Sequence, residues 1–407
     1  IYNSGGRRSQ PNDARKGKAM ALKGTNQEFG RPFNRRIVLE AIRRLGPIAK
    51  GEIAGRVGLT VQTVSNITRE LEDQGFITSQ KQGATGRGYP ARRLSINPEG
   101  AHAIGVNISP QRLQAALTDL TGNIIATREL ALRKPEPGDT LDHVISMARA
   151  LRQPIGDKRV LGIGLSMPGP FDVESMSFVG PTTLEGWKDV PVRDHLASRT
   201  GLPVFVETDH AAAALGEQLY GAGRTLKDFY YLYVGVGLGG CMIIDGQALR
   251  GNHRNAGEVG HLPLVPDGLP CPCGNVGCLE RYLSLEAYER RRAEVGHAQW
   301  ITETAPLFRK AIVAIENLFD PEAIVVGGLA PRALLAELIA AAEPLGNSIA
   351  VHPGRTAPRI ILAEGGANCV LRGAAELAVS GVLSPRHGVM FAEAETKPVS
   401  ISQGEAA

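Results

Sequence analysis

A chain of 407 residues, 43% hydrophobic and 21% charged, has the balance of a soluble globular protein and is longer than one core usually organises, so two or more domains are expected. No apolar run approaches the ~20 residues a membrane-spanning helix needs. The basic, polar N-terminus lacks the apolar core of a secretory signal, and five cysteines are too few for a disulfide scaffold of this size, so the expected compartment is the cytoplasm.

The net charge of +4 divides unevenly. Residues 1–100 hold 18 Lys and Arg against 8 Asp and Glu, a net of +10, while the remainder nets −6, which points to a polyanion partner for the first quarter alone. Residues 1–30, rich in Gly, Arg, Lys, Asn and Gln, read as a mobile basic arm. From Phe33 an apolar period begins: Ile37, Val38, Ala41, Ile42 and Leu45 mark one helix, ended by Gly46-Pro47. Ile53, Ala54 and Val57 mark a second helix, closed by Gly58. Val61, Val64, Ile67 and Leu71 mark the inward face of a third, with Thr60 as its N-cap. Gly75 stops that helix; Phe76–Thr78 and Arg92–Ile96 then read as strands joined by a tight turn at Gly83–Gly88. Three helices followed by a hairpin, over residues 31–98, is the plan of a winged helix-turn-helix.

In such modules the second helix of the pair enters the major groove. With the apolar stripe turned inward, Gln62, Thr63, Ser65, Asn66 and Arg69 are left outside. Amides pair with adenine, and Arg with guanine or phosphate, so this face suits double-stranded DNA. Arg87, Arg92 and Arg93 would offer the wing to a minor groove or to phosphates. The competing reading is a protein-interaction module with a solvated polar face; the helix order, the turn glycine and the basic excess favour DNA.

After Pro98 the pattern becomes α/β. Ala103–Val106, Ala115–Leu117 and Ile124–Thr127 read as strands, followed by a helix (Leu141, Val144, Ile145, Ala148, Leu151) and a buried strand at Val160–Leu165. Phe229–Val236, Cys241–Ile244 and Ala323–Val326 repeat the theme, which predicts a two-lobed body with a cleft over residues 99–383. From about Ser384 the periodicity lapses into a tail, residues 384–407.

The strongest chemical signal is Gly257-Glu258-Val259-Gly260-His261, followed by Cys271-Pro272-Cys273-Gly274-Asn275-Val276-Gly277-Cys278-Leu279-Glu280. One His and three Cys (His261, Cys271, Cys273, Cys278) form a soft tetrahedral donor set suited to one Zn²⁺. With all four positions filled by protein, no place remains for a metal-bound water, so the zinc is read as structural. Free cysteines in a surface loop are the bland alternative, which the spacing disfavours.

These residues resemble the ROK family of bacterial repressors and sugar kinases. The resemblance rests on Glu258-x-Gly-His261, the Cys271–Glu280 loop, and Val206-Glu207-Thr208-Asp209 leading into Ala212–Glu217, with weaker echoes at Met167–Pro170, Leu184–Trp187, Asn317–Pro321 and Leu371–Ala374. It implies an actin-like body related to sugar kinases and RNase H, with a sugar held in the cleft. By that resemblance Gly169, Thr208, Asp209, Glu258, His261 and Glu280 would bind the sugar. His261 would touch sugar through one nitrogen and zinc through the other.

The chain departs from the family at Thr208 and Ala211, where Asn is usual. It departs again at Asn107-Ile108-Ser109-Pro110-Gln111, where kinase members carry an Asp-x-Gly-Gly-Thr phosphate loop. The acid and both glycines are lost, and Pro110 removes an N–H donor. The second glycine loop, Gly235–Gly240, is intact. The expected protein is therefore a non-enzymatic, sugar-responsive repressor that meets paired operator half-sites as a homodimer or homotetramer. The alternative is a sugar kinase with an appended DNA-binding domain, in which Asp209 would be the base.

Overall fold

The computed structural model describes residues 30–81, 92–156, 158–169, 184–253 and 255–384. The chain opens with α1 (Arg31–Leu45), β1 (Ile48–Ala49), α2 (Lys50–Val57), α3 (Val61–Asp73), β2 (Ile77–Lys81) and β3 (Arg92–Ile96). Gly58 closes α2 at φ 69°, a left-handed conformation that costs glycine little. Thr60 caps α3 by accepting from the Thr63 N–H at 3.1 Å. The strands form one antiparallel sheet in the order β1-β3-β2, so the winged helix-turn-helix is present. Its core holds Ile37, Ile42, Ile53, Val64, Ile67, Leu71 and Leu94. One expected core residue is corrected: Val61 is 56% exposed. It lies in the first turn of α3, beyond the reach of that core, and the buried Thr68 faces inward two turns along. The turn Gly83–Gly88 and Arg87 fall outside the described residues.

The body consists of two lobes of like topology. The first holds β4 (His102–Ile108), β5 (Arg112–Asp119), β6 (Ile124–Ala131), α4 (Pro137–Arg152), β7 (Val160–Met167), α5 (Val192–Thr200), β8 (Val204–Thr208) and α6 (Asp209–Tyr220). The second holds β9 (Phe229–Val234), β10 (Leu238–Ile244), β11 (Gln247–Ala248), α7 (Glu280–Leu283), α8 (Leu285–Val295), α9 (His297–Phe319), β12 (Ala323–Gly328), α10 (Arg332–Ala341), β13 (Ile360–Leu362) and α11 (Cys369–Leu383). The sheets run β6-β5-β4-β7-β8 and β11-β10-β9-β12-β13. In each, an antiparallel meander is followed by two strands parallel to the meander's first. None of the described helices is long and apolar enough to cross a membrane.

Two helices change sides between the lobes. α6 leaves the first sheet and lies against β9 and β10 of the second; α11 leaves the second sheet and lies against β4 and β7 of the first. They cross one another where Gly373 meets the Ala212 carbonyl so closely that no Cβ would fit. Farther along α11, Ala375, Ala378, Val379, Val382 and Leu383 join the core of the winged helix, so the winged helix and the body share one apolar cluster.

Candidate functional site

The metal-binding candidates come together. After β11 the chain passes through a 3-10 turn at Val259–His261 and then a loop pinned by the bridges Pro263–Cys278 and Pro270–Val276. Gly277, at φ 74°, runs so close to the Val265 carbonyl that a side chain would not fit, and this tight turn brings Cys278 back to His261. The donor atoms of His261, Cys271, Cys273 and Cys278 all lie within 4.8 Å of one another. Cys271 Sγ is 3.6 Å from His261 Nδ1, and Cys273 Sγ is 3.6 Å from Cys278 Sγ. Bond lengths of ~2.3 Å to sulfur and ~2.0 Å to nitrogen give a tetrahedron with edges of ~3.5–3.8 Å, so this cluster has the size of a four-coordinate metal site. Burial would raise the Cys273 thiol, but the Asn275 backbone and the two neighbouring thiols bring it down to about 7.

Beside this cluster a cavity of about 210 Å³ opens between the lobes. Gly169, Asp209, Glu258, His261 and Glu280 line it. Asp209 begins α6, and its Oδ1 accepts from the His210 N–H at 2.8 Å. The His261 ring spans the two features: Nδ1 faces Cys271, and Nε2 lies 3.9 Å from Glu258 Oε2. Glu280 Oε2 accepts from the Leu238 N–H at 3.5 Å. Gly169 leaves a bare wall, where a Cβ would sit 3.2 Å from Thr208 Cγ2 and 3.6 Å from Glu258 Oε1. Thr208 itself lies behind the lining, 2% exposed, with its hydroxyl used to cap α6 through the Ala211 N–H.

Several lining residues escape the sequence reading, among them His210, Tyr233, Arg281 and Glu286. His210 is buried, with Nε2 3.1 Å from Thr208 Oγ1 and Nδ1 3.6 Å from Asp209 Oδ1. Burial pulls its pKa down, but hydrogen bonding to Asp209 and the charges of Glu258, Asp209 and Glu207 leave it raised overall. Adjacency to Asp209 was the available signal. Tyr233 contributes a buried hydroxyl beside Asp209; inside the apolar run of β9 nothing marked it.

The first loop spends its polar groups within its own turn. Asn107 is buried, and its Oδ1 accepts from the Ser166 hydroxyl at 3.0 Å. The Ser109 N–H donates to the Arg112 carbonyl at 2.9 Å, and the Arg112 N–H to Ser109 Oγ at 3.2 Å. Pro110 has no N–H, so the turn has almost none of the free backbone donors a phosphate cradle requires.

On α3, Gln62, Asn66 and Arg69 are exposed on one face, with Gln62 Nε2 donating to Asn66 Oδ1 at 3.3 Å. Thr63 and Ser65 are half-buried: the Thr63 hydroxyl meets Thr60 Oγ1 at 2.8 Å, and Ser65 Oγ accepts from Lys50 Nζ at 3.3 Å. Arg92 is exposed, whereas Arg93 turns back to donate to the Pro47 carbonyl at 3.0 Å.

A direct path joins the cleft to this module. α6 starts at Asp209 and ends ~18 Å later at Tyr220, whose hydroxyl lies 3.4 Å from Glu376 Oε2 on α11. Glu376 accepts from Arg43 of α1 at 2.6 Å and from the Ser380 hydroxyl. Arg43 also donates to Glu40 at 3.0 Å.

A model described as the ROK family matches residues 103–380. The chain belongs to the ROK family. A MarR family model matches residues 37–84, over the winged helix. The ROK chain is 27% identical over 343 residues to the xylose repressor of Caldicellulosiruptor bescii, covering 75% of this chain and 85% of that one. A solved ROK family transcriptional regulator, a homologue of the Escherichia coli Mlc protein, shares the fold with a TM-score of 0.72 at 24% identity, over 89% of this chain and 98% of its own. The ROK hexokinase of Thermus thermophilus matches at a TM-score of 0.58 and 29% identity, over 69% of this chain and 99% of its own. A ROK body therefore also occurs in solved structures of about two thirds this length, and the present chain joins that sugar-kinase-type body to a MarR-like winged helix.

Proposed function

We propose that this ROK protein is a DNA-binding transcriptional repressor whose hold on a double-stranded operator answers to a sugar in the interlobe cleft. The observation that carries the reading is the path of α6. It begins on a cleft carboxylate, Asp209, and ends on the buried cluster that holds α1 of the winged helix. A ligand shifts such an equilibrium only by binding one lobe arrangement more tightly than the other, and a coupling of ~1–3 kcal/mol suffices for a graded switch.

Asp209, Glu258 and Glu280 accept sugar hydroxyl protons, His261 Nε2 adds a further contact, Gly169 gives the ring room, and Thr208 holds the start of α6. Zn²⁺ is the metal that fits His261, Cys271, Cys273 and Cys278, because three thiolates and an imidazole form a soft, closed, tetrahedral set. The zinc is structural, one per chain: bound there it fixes the loop and the His261 ring that borders the cleft. On DNA, Gln62, Asn66 and Arg69 read bases, Thr63 and Ser65 shape the helix face, and Arg92 and Arg87 hold phosphates, with Arg93 bracing the wing. The working state is a homodimer or homotetramer on paired half-sites in the cytoplasm.

The protein is not a sugar kinase on this reading, because Asn107, Ser109 and Pro110 leave no first phosphate loop. One observation favours the kinase alternative: Asp209 stands in the cleft near an intact second glycine loop. The deciding experiment measures ADP release across a panel of sugars beside operator binding by fluorescence anisotropy. Sugar-dependent change in DNA affinity without turnover supports the repressor; turnover abolished by Asp209→Asn supports the kinase.

A further inference from the structure

A second cavity, about 540 Å³, lies between the winged helix and the body, away from the sugar cleft. One wall comes from the end of α1, the Gly46-Pro47 turn and Ser95 of β3. The other comes from the β5–β6 turn, the end of α6, Arg224 and Arg372.

Among the described residues its lining is cationic and includes no carboxylate. Arg43, Arg224 and Arg372 all face the space. The charge of Arg43 is already met by Glu40 and Glu376. Arg224 and Arg372 have no carboxylate within ion-pair distance among the described residues. Arg372 lies with its guanidinium 5.8 Å from the centre of the Tyr220 ring, and its Nε is buried with no acceptor. Asp119, the nearest acid on the β5–β6 turn, is spent on that turn: Oδ1 accepts from the Thr121 and Asn123 N–H groups and Oδ2 from Asn123 Nδ2.

Two guanidiniums not engaged by a carboxylate among the described residues, one with a buried Nε donor, give the cavity the donors to hold a dianion. The volume is that of a small-ligand pocket, and the flat fork of Arg suits a phosphate better than a point charge would. The apolar flank, Ile42, Ile96 and Leu219, leaves space for an uncharged body.

We propose that this cavity is an effector site for a small phosphomonoester, which on binding bridges Arg224 and Arg372 and braces the winged helix against the body. The site does not depend on the sugar reading of the cleft. It stands at the far end of α6 from Asp209, so a phosphorylated ligand here and a sugar there would bias the same helix.

The test uses the full chain and glycerol 3-phosphate as probe, by isothermal titration calorimetry at constant ionic strength, with glycerol, sulfate and citrate as parallel arms. The expected result is saturable binding below about 10 mM at about one per chain. It should weaken at least about tenfold in Arg224→Ala and in Arg372→Met, remain in Arg372→Lys within a few-fold, and be unchanged in Lys310→Ala, which removes an exposed cation on α9. Because Arg224 is exposed, Arg224→Ala keeps the test open even if Arg372→Met unfolds the protein. Binding equal in wild type and Arg224→Ala, or lost in Lys310→Ala, would overturn the site. Citrate or sulfate binding as tightly as glycerol 3-phosphate would overturn the phosphomonoester assignment, as would no saturable binding.

Discussion

Arg43 on α1 and Glu376 on α11 meet at 2.6 Å, 333 residues apart in sequence, with side chains 9% and 3% exposed. Two charges taken this far from water recover little net stability from one another, but losing one partner strands the other. Orientation is therefore the main contribution of the pair: it sets α1 against α11 beside the end of α6.

Glu376→Gln alone should destabilise the protein by ~3–5 kcal/mol, as expected for a broken buried pair. The double variant Arg43→Met/Glu376→Met should regain only part of that loss, because Glu40 is left with Arg44 alone, and should still bind DNA yet lose the sugar response. Thermal unfolding beside anisotropy checks this. A double variant with full sugar response would reduce the pair to packing.

Glu40 gives the same contact an acid limit. Burial would raise its carboxyl, but Arg43 and Arg44 bring it from 4.5 down to about 2. A folded pKa below the unfolded one contributes stability that is complete above about 4.5 and disappears as pH falls toward about 2. The ceiling is about 3 kcal/mol. Urea unfolding of wild type and Glu40→Gln across that range should show the two curves converging as pH falls; a constant gap would contradict the assignment.

Metal removal should act on the cleft before it acts on DNA. Purified protein should contain about one zinc per chain, and Cys273→Ser should lose it, lower the melting temperature and weaken sugar binding. Metal-free wild type that folds fully and still binds sugar would rule out a structural zinc.

Much of this architecture could be read from local pattern. The α3 stripe and its Thr60 cap, the glycines that end helices, and the closely spaced cysteines each act within a few residues. The short strands β1, β11 and β13 could not be read so, because two or three residues carry no period and exist only by pairing with neighbours. Val61 fitted the stripe but stands beyond the core. His210 and Tyr233 face the cleft only because two lobes close around them, and Arg43 finds Glu376 only after the whole body has folded.

The recognition face separates reading from gripping. Arg69→Ala or Gln62→Ala should cost ~1–3 kcal/mol at a cognate operator and little on unrelated DNA. Arg92→Ala should weaken all sequences alike and lower the salt slope by about one. Equal losses on all DNA for Gln62→Ala would remove it from base readout.

On the proposed reading, one molecule senses sugar in the cleft and reports it on DNA. Operator affinity by fluorescence anisotropy tests this most directly, titrated with a panel of sugars on wild type and Asp209→Asn at fixed salt. Wild type should show a saturable shift of about 5- to 150-fold. Asp209→Asn should bind DNA as tightly without sugar but need a higher sugar concentration for the same shift. Sugar binding seen by calorimetry with no change in operator affinity would contradict it.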